Sequence, residues 1–298
     1  MVTTFDELGG TDVVTNTTET PQGLNYRYCT YDGCRLNFRG PVTSMSDPYI
    51  AVLGGTEVFG RFVEHPFPEL LQEWTGTAVA NFGVARAGLS LFSEEPWLLD
   101  AASRADLTVL QVLGAQNMSN RMYSVHARRN DRFLSVSPML REMFPKVDFA
   151  DINFTGHLIE ALSYDAVSFQ KLVDELKWAW LQRMRRLLSV IQGDVILLWM
   201  SDRRPEEGGI SRHASEPLFV DRLMLDELVG EVAGLVEVVT DKTSHKLGEM
   251  IVSEDEEEAA MHLPGPHDHM RAAEALSNEF ARLRGTGPSS GQARALRS

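Results

Sequence analysis

Five short apolar runs, each closed by Gly or by small polar residues, organise this chain. They lie at 50–54, 78–82, 107–113, 195–200 and 235–239. Runs of this length, apolar without strict alternation, predict strands buried on both faces. Between them the spacing turns helical. A helix is predicted near 66–75, with Pro66 and Pro68 at its start. Another is predicted around 94–103. Over 167–192, Phe169, Leu172, Val173, Leu176, Trp180, Leu187 and Leu188 recur on one face, and Gly193 ends the run. Further helices are predicted at about 217–230 and 267–284. Alternating strands and helices imply an α/β protein in three layers, with a mainly parallel sheet between helices.

The flanks read differently. Residues 1–24 are rich in Thr, Gly and acidic side chains and predict a loosely held arm. Residues 25–40 alternate aromatic and polar around Asp32-Gly33, a hairpin signal. The expected organisation is therefore an arm and hairpin over 1–48 and an α/β domain over 49–284. The domain carries an insertion at 114–165 without long periodicity, and a disordered tail is expected over 285–298.

Composition narrows the function. With 298 residues and 43% hydrophobic side chains the chain can bury a full core, and a net charge of −14 argues against nucleic-acid partners. The acidic run Glu254–Glu258 reads as a solvated loop. The longest strongly apolar run, Val195–Met200, cannot span a bilayer, so no membrane partner is expected. The first residues lack the basic start and apolar segment of a secretory signal. Cys29 and Cys34 are expected to be reduced, in a cytoplasmic protein. No His/Asp cluster has ligand spacing, so neither a metal nor another cofactor is expected.

Three strand ends carry the candidate chemistry. The first run continues into Gly54-Gly55-Thr56-Glu57-Val58-Phe59-Gly60, the second into Gly83 and then Gly88, and the third into Gly114-Ala115-Gln116-Asn117. Open parallel sheets bind ligands beyond the carboxyl ends of their strands, where turns require small and amide residues. A plainer reading is three connecting turns. In the same order, these stretches resemble the blocks of the SGNH (GDSL) hydrolase superfamily. The first matches Gly-Asp-Ser-x-x-x-Gly in spacing, the second Asn-x-Gly at Asn81–Gly83, and the third Gly-x-Asn-Asp in type. A final block with a His before the last helix is similar to His262-Leu263-Pro264-Gly265-Pro266-His267-Asp268-His269. The resemblance covers roughly 49–283 and implies a flavodoxin-like sheet and ester chemistry. Residues 116–123 and 128–133 also resemble a bacterial family of uncharacterised proteins, a domain of unknown function.

The chain departs from the superfamily pattern at each block. Thr56 stands at the nucleophile position, where its β-methyl stiffens χ1; it serves as nucleophile if a base activates it, or else caps the next helix. The resemblance implies backbone donors for an oxyanion at Gly55, Gly83 or Gly88, since the usual glycine position falls near Arg86. Gln116 and Asn117 are candidate oxyanion donors, or satisfy loop backbone groups. His262 and His269 are candidate bases or surface residues. The Asp-x-x-His pattern is missing, because Ala259 stands three before His262. Arg121, Arg128, Arg129 and Arg132 are clustered in the insertion, beside His126. They are expected either to form an anion-binding wall or to pair with carboxylates such as Asp131, Glu142, Asp148 and Asp151. The resulting expectation is an ester hydrolase or O-acyl transferase acting on a small or carbohydrate ester, anionic ones included. The alternative is a non-catalytic protein of the same fold that binds an anionic ligand.

Overall fold

The computed structural model describes residues 23–208, 216–240 and 244–286. The arm expected over 1–24 and the tail expected over 285–298 lie outside the described residues, except at 23–24 and 285–286. In chain order the elements are β1 (Tyr49–Gly54), α1 (Thr56–Phe59), α2 (Phe67–Thr75), β2 (Ala78–Gly83), α3 (Leu89–Glu94), α4 (Pro96–Arg104), β3 (Leu107–Gln111), β4 (Tyr123–His126), β5 (Arg129–Val136), α5 (Pro138–Met143), α6 (Thr155–Leu162), α7 (Ala166–Val190), β6 (Asp194–Ser201), α8 (Arg222–Asp226), β7 (Gly234–Val239), α9 (Glu257–Met261) and α10 (Pro266–Thr286).

All five predicted strands form one sheet in the order β2-β1-β3-β6-β7. Every pairing in it is parallel. This is the flavodoxin-like order, in which the chain moves outward from β1 to β2 and then returns to the far side of β1. Each strand feeds two cores by simple alternation. Tyr49, Ala51 and Leu53 of β1 face one side with Val195, Leu197 and Trp199 of β6. Ile50 and Val52 face the other with Ile196, Leu198 and Met200. Helices α3, α4 and α7 cover the first face. Helices α2 and α10 cover the second through Phe67, Leu71, Ala272, Ala273, Leu276 and Phe280. The three-layer αβα architecture follows.

Several elements differ from the sequence reading. The helix predicted around 94–103 is α4, and an unpredicted helix, α3, precedes it; the two are separate because Glu95 is extended (φ −102°, ψ 100°) ahead of Pro96. The helix predicted over 217–230 shrinks to α8 and a 3₁₀ turn, since Asp221 caps α8 by accepting the Met224 N–H at 3.1 Å. Residues 216–220 are thereby free to run back toward the sheet edge. The insertion contains the antiparallel β4–β5 pair, whose register slips around Val125 and so hides the alternation. The hairpin predicted at 25–40 is a turn with one antiparallel bridge, Cys29 to Phe38. Phe38 and Tyr31 pack against Phe82 and Trp97. Both cysteines are free thiols, and burial pushes their pKa values up.

His269 belongs to this packing. Only 1% exposed, it stacks on Phe67 between α2 and α10, and its Nδ1 accepts the Phe67 N–H at 3.1 Å. Desolvation, aided by the Arg39 charge, lowers its pKa to about 3. The unfolded chain binds a proton near pH 6.5, while the folded state holds the ring neutral down to about 3. Stability from this site is therefore complete above pH 6.5 and falls as the pH drops toward 3. Between pH 7 and pH 5 the loss should be about 2 kcal/mol. Urea denaturation at the two pH values should show this component in the wild type and not in His269→Gln, which keeps an acceptor for the Phe67 N–H.

Candidate functional site

A cleft of about 270 Å³ opens beyond the carboxyl ends of β1, β3 and β6. It lies where the strand order reverses, the position such sheets reserve for ligands. Gly55, Thr56 and Glu57 enter from the turn after β1, Arg86 and Ala87 from the turn after β2, and residues 111–114 with Asn117 from the end of β3. Asp131, Met200, Glu216 and Pro217 complete the wall.

The β1 turn is locked from the side. Gln111, 3% exposed at the end of β3, accepts the Gly55 N–H through Oε1 at 2.8 Å and donates from Nε2 to Glu57 Oε2 at 2.9 Å. One buried amide thus satisfies both its ends and sets α1 against β3. Thr56 begins α1 beside Gly55, which is the N-cap residue. Its Oγ1 accepts the Arg86 N–H at 3.0 Å. Arg86 has a left-handed backbone, φ 60°, a conformation that costs a non-glycine residue roughly 1–2 kcal/mol. Its guanidinium lies 3.6 Å from Asp131 Oδ2 at the cleft mouth.

Asn117 is oriented by its neighbour. Thr155 Oγ1 donates to Asn117 Oδ1 at 2.5 Å. The amide nitrogen has no partner among the described residues, and Asn117 lines the cleft. Gln116 turns the other way. It is 4% exposed, its carbonyl accepts the Tyr123 hydroxyl at 2.6 Å, and its Nε2 donates to Glu216 Oε1. Its own Oε1 is buried with no partner among the described residues. Glu216 Oε2 accepts the Leu218 N–H at 3.0 Å. Residue 216 is exposed as a whole, but both carboxyl oxygens are engaged inward. Desolvation of that carboxyl, with the like charge of Glu57 adding to it, raises its pKa.

The loop bearing Glu216 is held from below. Buried Arg203 donates to the carbonyls of Pro217 at 2.6 Å and Val220 at 2.9 Å. Ser201 Oγ donates to the Glu216 carbonyl at 2.5 Å. On the opposite side, Trp180 Nε1 ties α7 to the Leu113 carbonyl at 2.8 Å.

Of the residues singled out from sequence, Gly55, Thr56 and Asn117 line the cleft, and the others do not. Gly83 gives its N–H to Asn81 Oδ1 at 2.9 Å and packs under Phe59. Gly88 gives its N–H to Asn130 Oδ1 at 2.9 Å and has no room for a side chain against the Asn117 carbonyl. Neither N–H is therefore directed at the cleft, and the backbone N–H that meets Thr56 is that of Arg86. His262 is exposed at the end of α9, and His269 is in the core. Arg121 pairs with Glu175 of α7 and lies over Trp178. Arg128 and Arg129 are exposed, their N–H groups bonded to His126. Arg132 stacks on Phe154 with 4.4 Å from its guanidinium carbon to the ring centroid. The arginine cluster therefore builds no wall here. Beyond Gly114 and Asn117, the insertion reaches the cleft through Asp131, while the neighbouring Asn130 caps α3 by accepting the Leu91 N–H at 3.1 Å.

Sequence reasoning missed Glu57, Gln111 and Glu216, named Arg86 only as the place where the usual oxyanion glycine falls, and named Asp131 only as an ion-pair partner for the arginine cluster. Gln111 had a visible signal, a polar residue inside an apolar strand. Among the described residues no group of three or more His, Cys, Asp or Glu side chains is placed to hold a metal ion. No helix among them is long and apolar enough to cross a membrane.

Fold and site together define a three-layer α/β protein with a polar cleft at the switch point of a parallel sheet. The chain belongs to the family described as a domain of unknown function, DUF6473, whose model matches residues 14–284. A search of curated proteins finds no match. Among solved structures the chain is similar to a lipase from a goat rumen metagenome, at 11% identity and a TM-score of 0.39, covering 78% of this chain and 97% of that one. It is similar to a protein from Desulfitobacterium hafniense described as lipolytic and of the G-D-S-L family, at 11% identity and TM-score 0.41, covering 78% and 99%. An acetylxylan esterase from Geobacillus stearothermophilus is 14% identical with TM-score 0.37, covering 83% and 97%. The chemistry of the cleft rests on its own residues.

Gly114 sits where the cleft wall is tightest. A Cβ there would collide with Gln116 Oε1, Glu216 Oε2 and the Leu218 nitrogen. Gly114→Ala should lower unfolding free energy by about 1–3 kcal/mol through overpacking. Gly156, which opens into free space in α6, should gain up to about 1 kcal/mol on the same change. Chemical denaturation of the two variants checks the contrast.

Proposed function

We propose that the protein is an ester hydrolase or O-acyl transferase acting on a small, neutral ester, carbohydrate esters included, with Thr56 as nucleophile. One observation carries this reading. A hydroxyl stands at the switch point of the sheet, Arg86 N–H meets its oxygen at 3.0 Å, and the Asn117 amide nitrogen has no partner among the described residues of the same cleft.

Attack by Thr56 Oγ1 on an ester carbonyl turns the carbonyl oxygen into an oxyanion beside the point of attack. Backbone N–H and amide donors near that position stabilise it, and the loss of one such donor commonly costs 10²–10³-fold. Arg86 N–H and Asn117 Nδ2 are the donors assigned to this role. Thr155 prevents the Asn117 amide from presenting its oxygen instead. Leu113, Met200 and Pro217 give the cleft an apolar side for a short acyl group.

Charge argues for a neutral substrate. The lining carries Glu57, Asp131 and Glu216 against the single guanidinium of Arg86, which Asp131 already faces. An anionic ester would meet net repulsion in this setting.

Thr56→Val should abolish hydrolysis of p-nitrophenyl acetate while circular dichroism stays unchanged. Loss of the acceptor for the exposed Arg86 N–H, which water can replace, costs at most about 0.5–1.5 kcal/mol of stability. Thr56→Ser should retain or raise the rate, because it keeps the hydroxyl and removes the β-methyl. Intact mass after rapid quench should show one acetyl adduct on the wild type. An active Thr56→Val variant would remove Thr56 from the chemistry.

A further inference from the structure

We propose that Glu216 is the acid–base residue of the cleft, taking the Thr56 hydroxyl proton during attack and delivering it to the leaving oxygen. The inference rests on the ester reading of the site and supplies the proton acceptor that reading lacks.

Among the described residues that line the cleft, the proton acceptors are three carboxyls, those of Glu57, Asp131 and Glu216. Asp131 faces the Arg86 guanidinium at 3.6 Å. Glu57 is bound by Gln111 Nε2, whose other end holds the β1 turn. Glu216 differs from both. Its carboxyl makes no ion pair among the described residues and accepts only from neutral donors, Gln116 Nε2 and Leu218 N–H.

The surroundings let this carboxyl hold a proton or release it. Among the described residues the charged groups facing it are Glu57 from α1 and Arg203 from the end of β6, with Arg86 and Asp131 across the cleft. Desolvation is the largest influence on it and raises its pKa, with the Glu57 charge acting in the same direction; the Leu218 N–H bond, the Gln116 amide and the Arg203 charge oppose them without overturning the upward shift. A carboxyl with raised proton affinity approaches the range in which general acid–base groups work near neutral pH.

Gln116 is suited to both states. In its present orientation it donates an N–H to the carboxylate, and its buried oxygen has no partner among the described residues. Turning the amide over would offer that oxygen to the O–H of a protonated Glu216. Gly114 makes the space, since any side chain there would occupy the volume used by Gln116 and Glu216. Arg203 and Ser201 fix the loop from behind, so the carboxyl is held in place by residues that do not themselves line the cleft.

The proton balance closes. As the bond from Thr56 Oγ1 to the acyl carbon forms, the hydroxyl proton passes to ionised Glu216. Collapse of the tetrahedral intermediate breaks the bond to the leaving oxygen, which departs as an alcohol with that proton. Water, or an acceptor alcohol, then attacks the acyl-Thr56 ester and gives its proton to Glu216. Glu216 returns that proton to Thr56 Oγ1 as the acyl–oxygen bond breaks.

Only the ionised carboxyl can accept the hydroxyl proton, so activity falls as pH drops through the Glu216 pKa. The wild-type kcat/KM for p-nitrophenyl acetate should therefore rise with pH through an inflection above the ordinary carboxylate range. Glu57→Gln should move that inflection to lower pH by removing the like charge. Glu216→Gln should lower kcat by about 10²–10⁴-fold, and Glu216→Asp should recover part of the loss.

Carbon-13 NMR of protein labelled at Glu carboxyls reads the same group without turnover, the Glu216 signal being the one missing from Glu216→Gln. It should titrate above the ordinary range and move down in Glu57→Gln. A Glu216 signal with an ordinary titration, or a Glu216→Gln variant with wild-type kcat/KM, overturns the proposal. An inactive wild type whose Glu216 titrates high overturns the ester reading and upholds Glu216 as a proton-carrying group.

Discussion

An all-parallel sheet must be covered on both faces, and that constraint decides where polar chemistry can reside in this molecule. Inside β1 and β6 every residue between the ends faces one of two apolar cores. Polar side chains are displaced to the carboxyl edge, where the strands stop. There they are still largely buried, so each must find a partner or leave an unsatisfied group costing roughly 1–3 kcal/mol. The result is a chain of contacts rather than a set of independent residues. Gly55 leans on Gln111, Gln111 holds Glu57, Asn117 is fixed by Thr155, and Gln116 meets Glu216. Gln116 Oε1, buried with no partner among the described residues, breaks the pattern, and it lies beside the carboxyl whose pKa is raised.

What the sequence made legible follows from the same constraint. A strand buried on both sides must read as an apolar run, so all five strands could be located from residue type. The helices that bury a broad stripe, α2, α7 and α10, were equally visible. The switch-point cleft was legible as a place, because Gly, Thr and amide residues gather where β1 and β3 end. Thr56, Gly55 and Asn117 lie in it.

Partners distant in sequence were not legible. Glu216 meets Gln116 across 100 positions, and Arg121 meets Glu175 across 54. Neither pairing leaves a local trace. The arginine cluster reads as one surface because its members are adjacent in the chain, yet Arg121 pairs with Glu175 of α7, Arg132 stacks on Phe154, and Arg128 and Arg129 stay exposed with their backbone N–H groups on His126. His269 sits where the superfamily resemblance implies a base, but local pattern could not distinguish a cleft histidine from one sealed between α2 and α10. The break at Asp221 was equally hidden, and with it the return of the 216–220 loop to the cleft. A capping carboxylate and a continuing helix share the same residue types until the backbone chooses between them.

Arg86 is the point at which local preference and site geometry conflict most openly. Glycine would adopt φ 60° without strain, yet the chain keeps a long cationic side chain there. Strain of this kind persists only where the surroundings over-determine the backbone. Here the surroundings are specific: Gly88 is pinned by Asn130 two residues on, and the Arg86 N–H is taken by Thr56 Oγ1. The side chain is then left at the rim, facing Asp131 from the insertion. One residue thus presents its backbone to the hydroxyl at the floor of the cleft and its charge to the mouth. Glycine would keep the first of these and lose the second, which gives the retained side chain a physical reason in the contact between the β2 turn and the insertion.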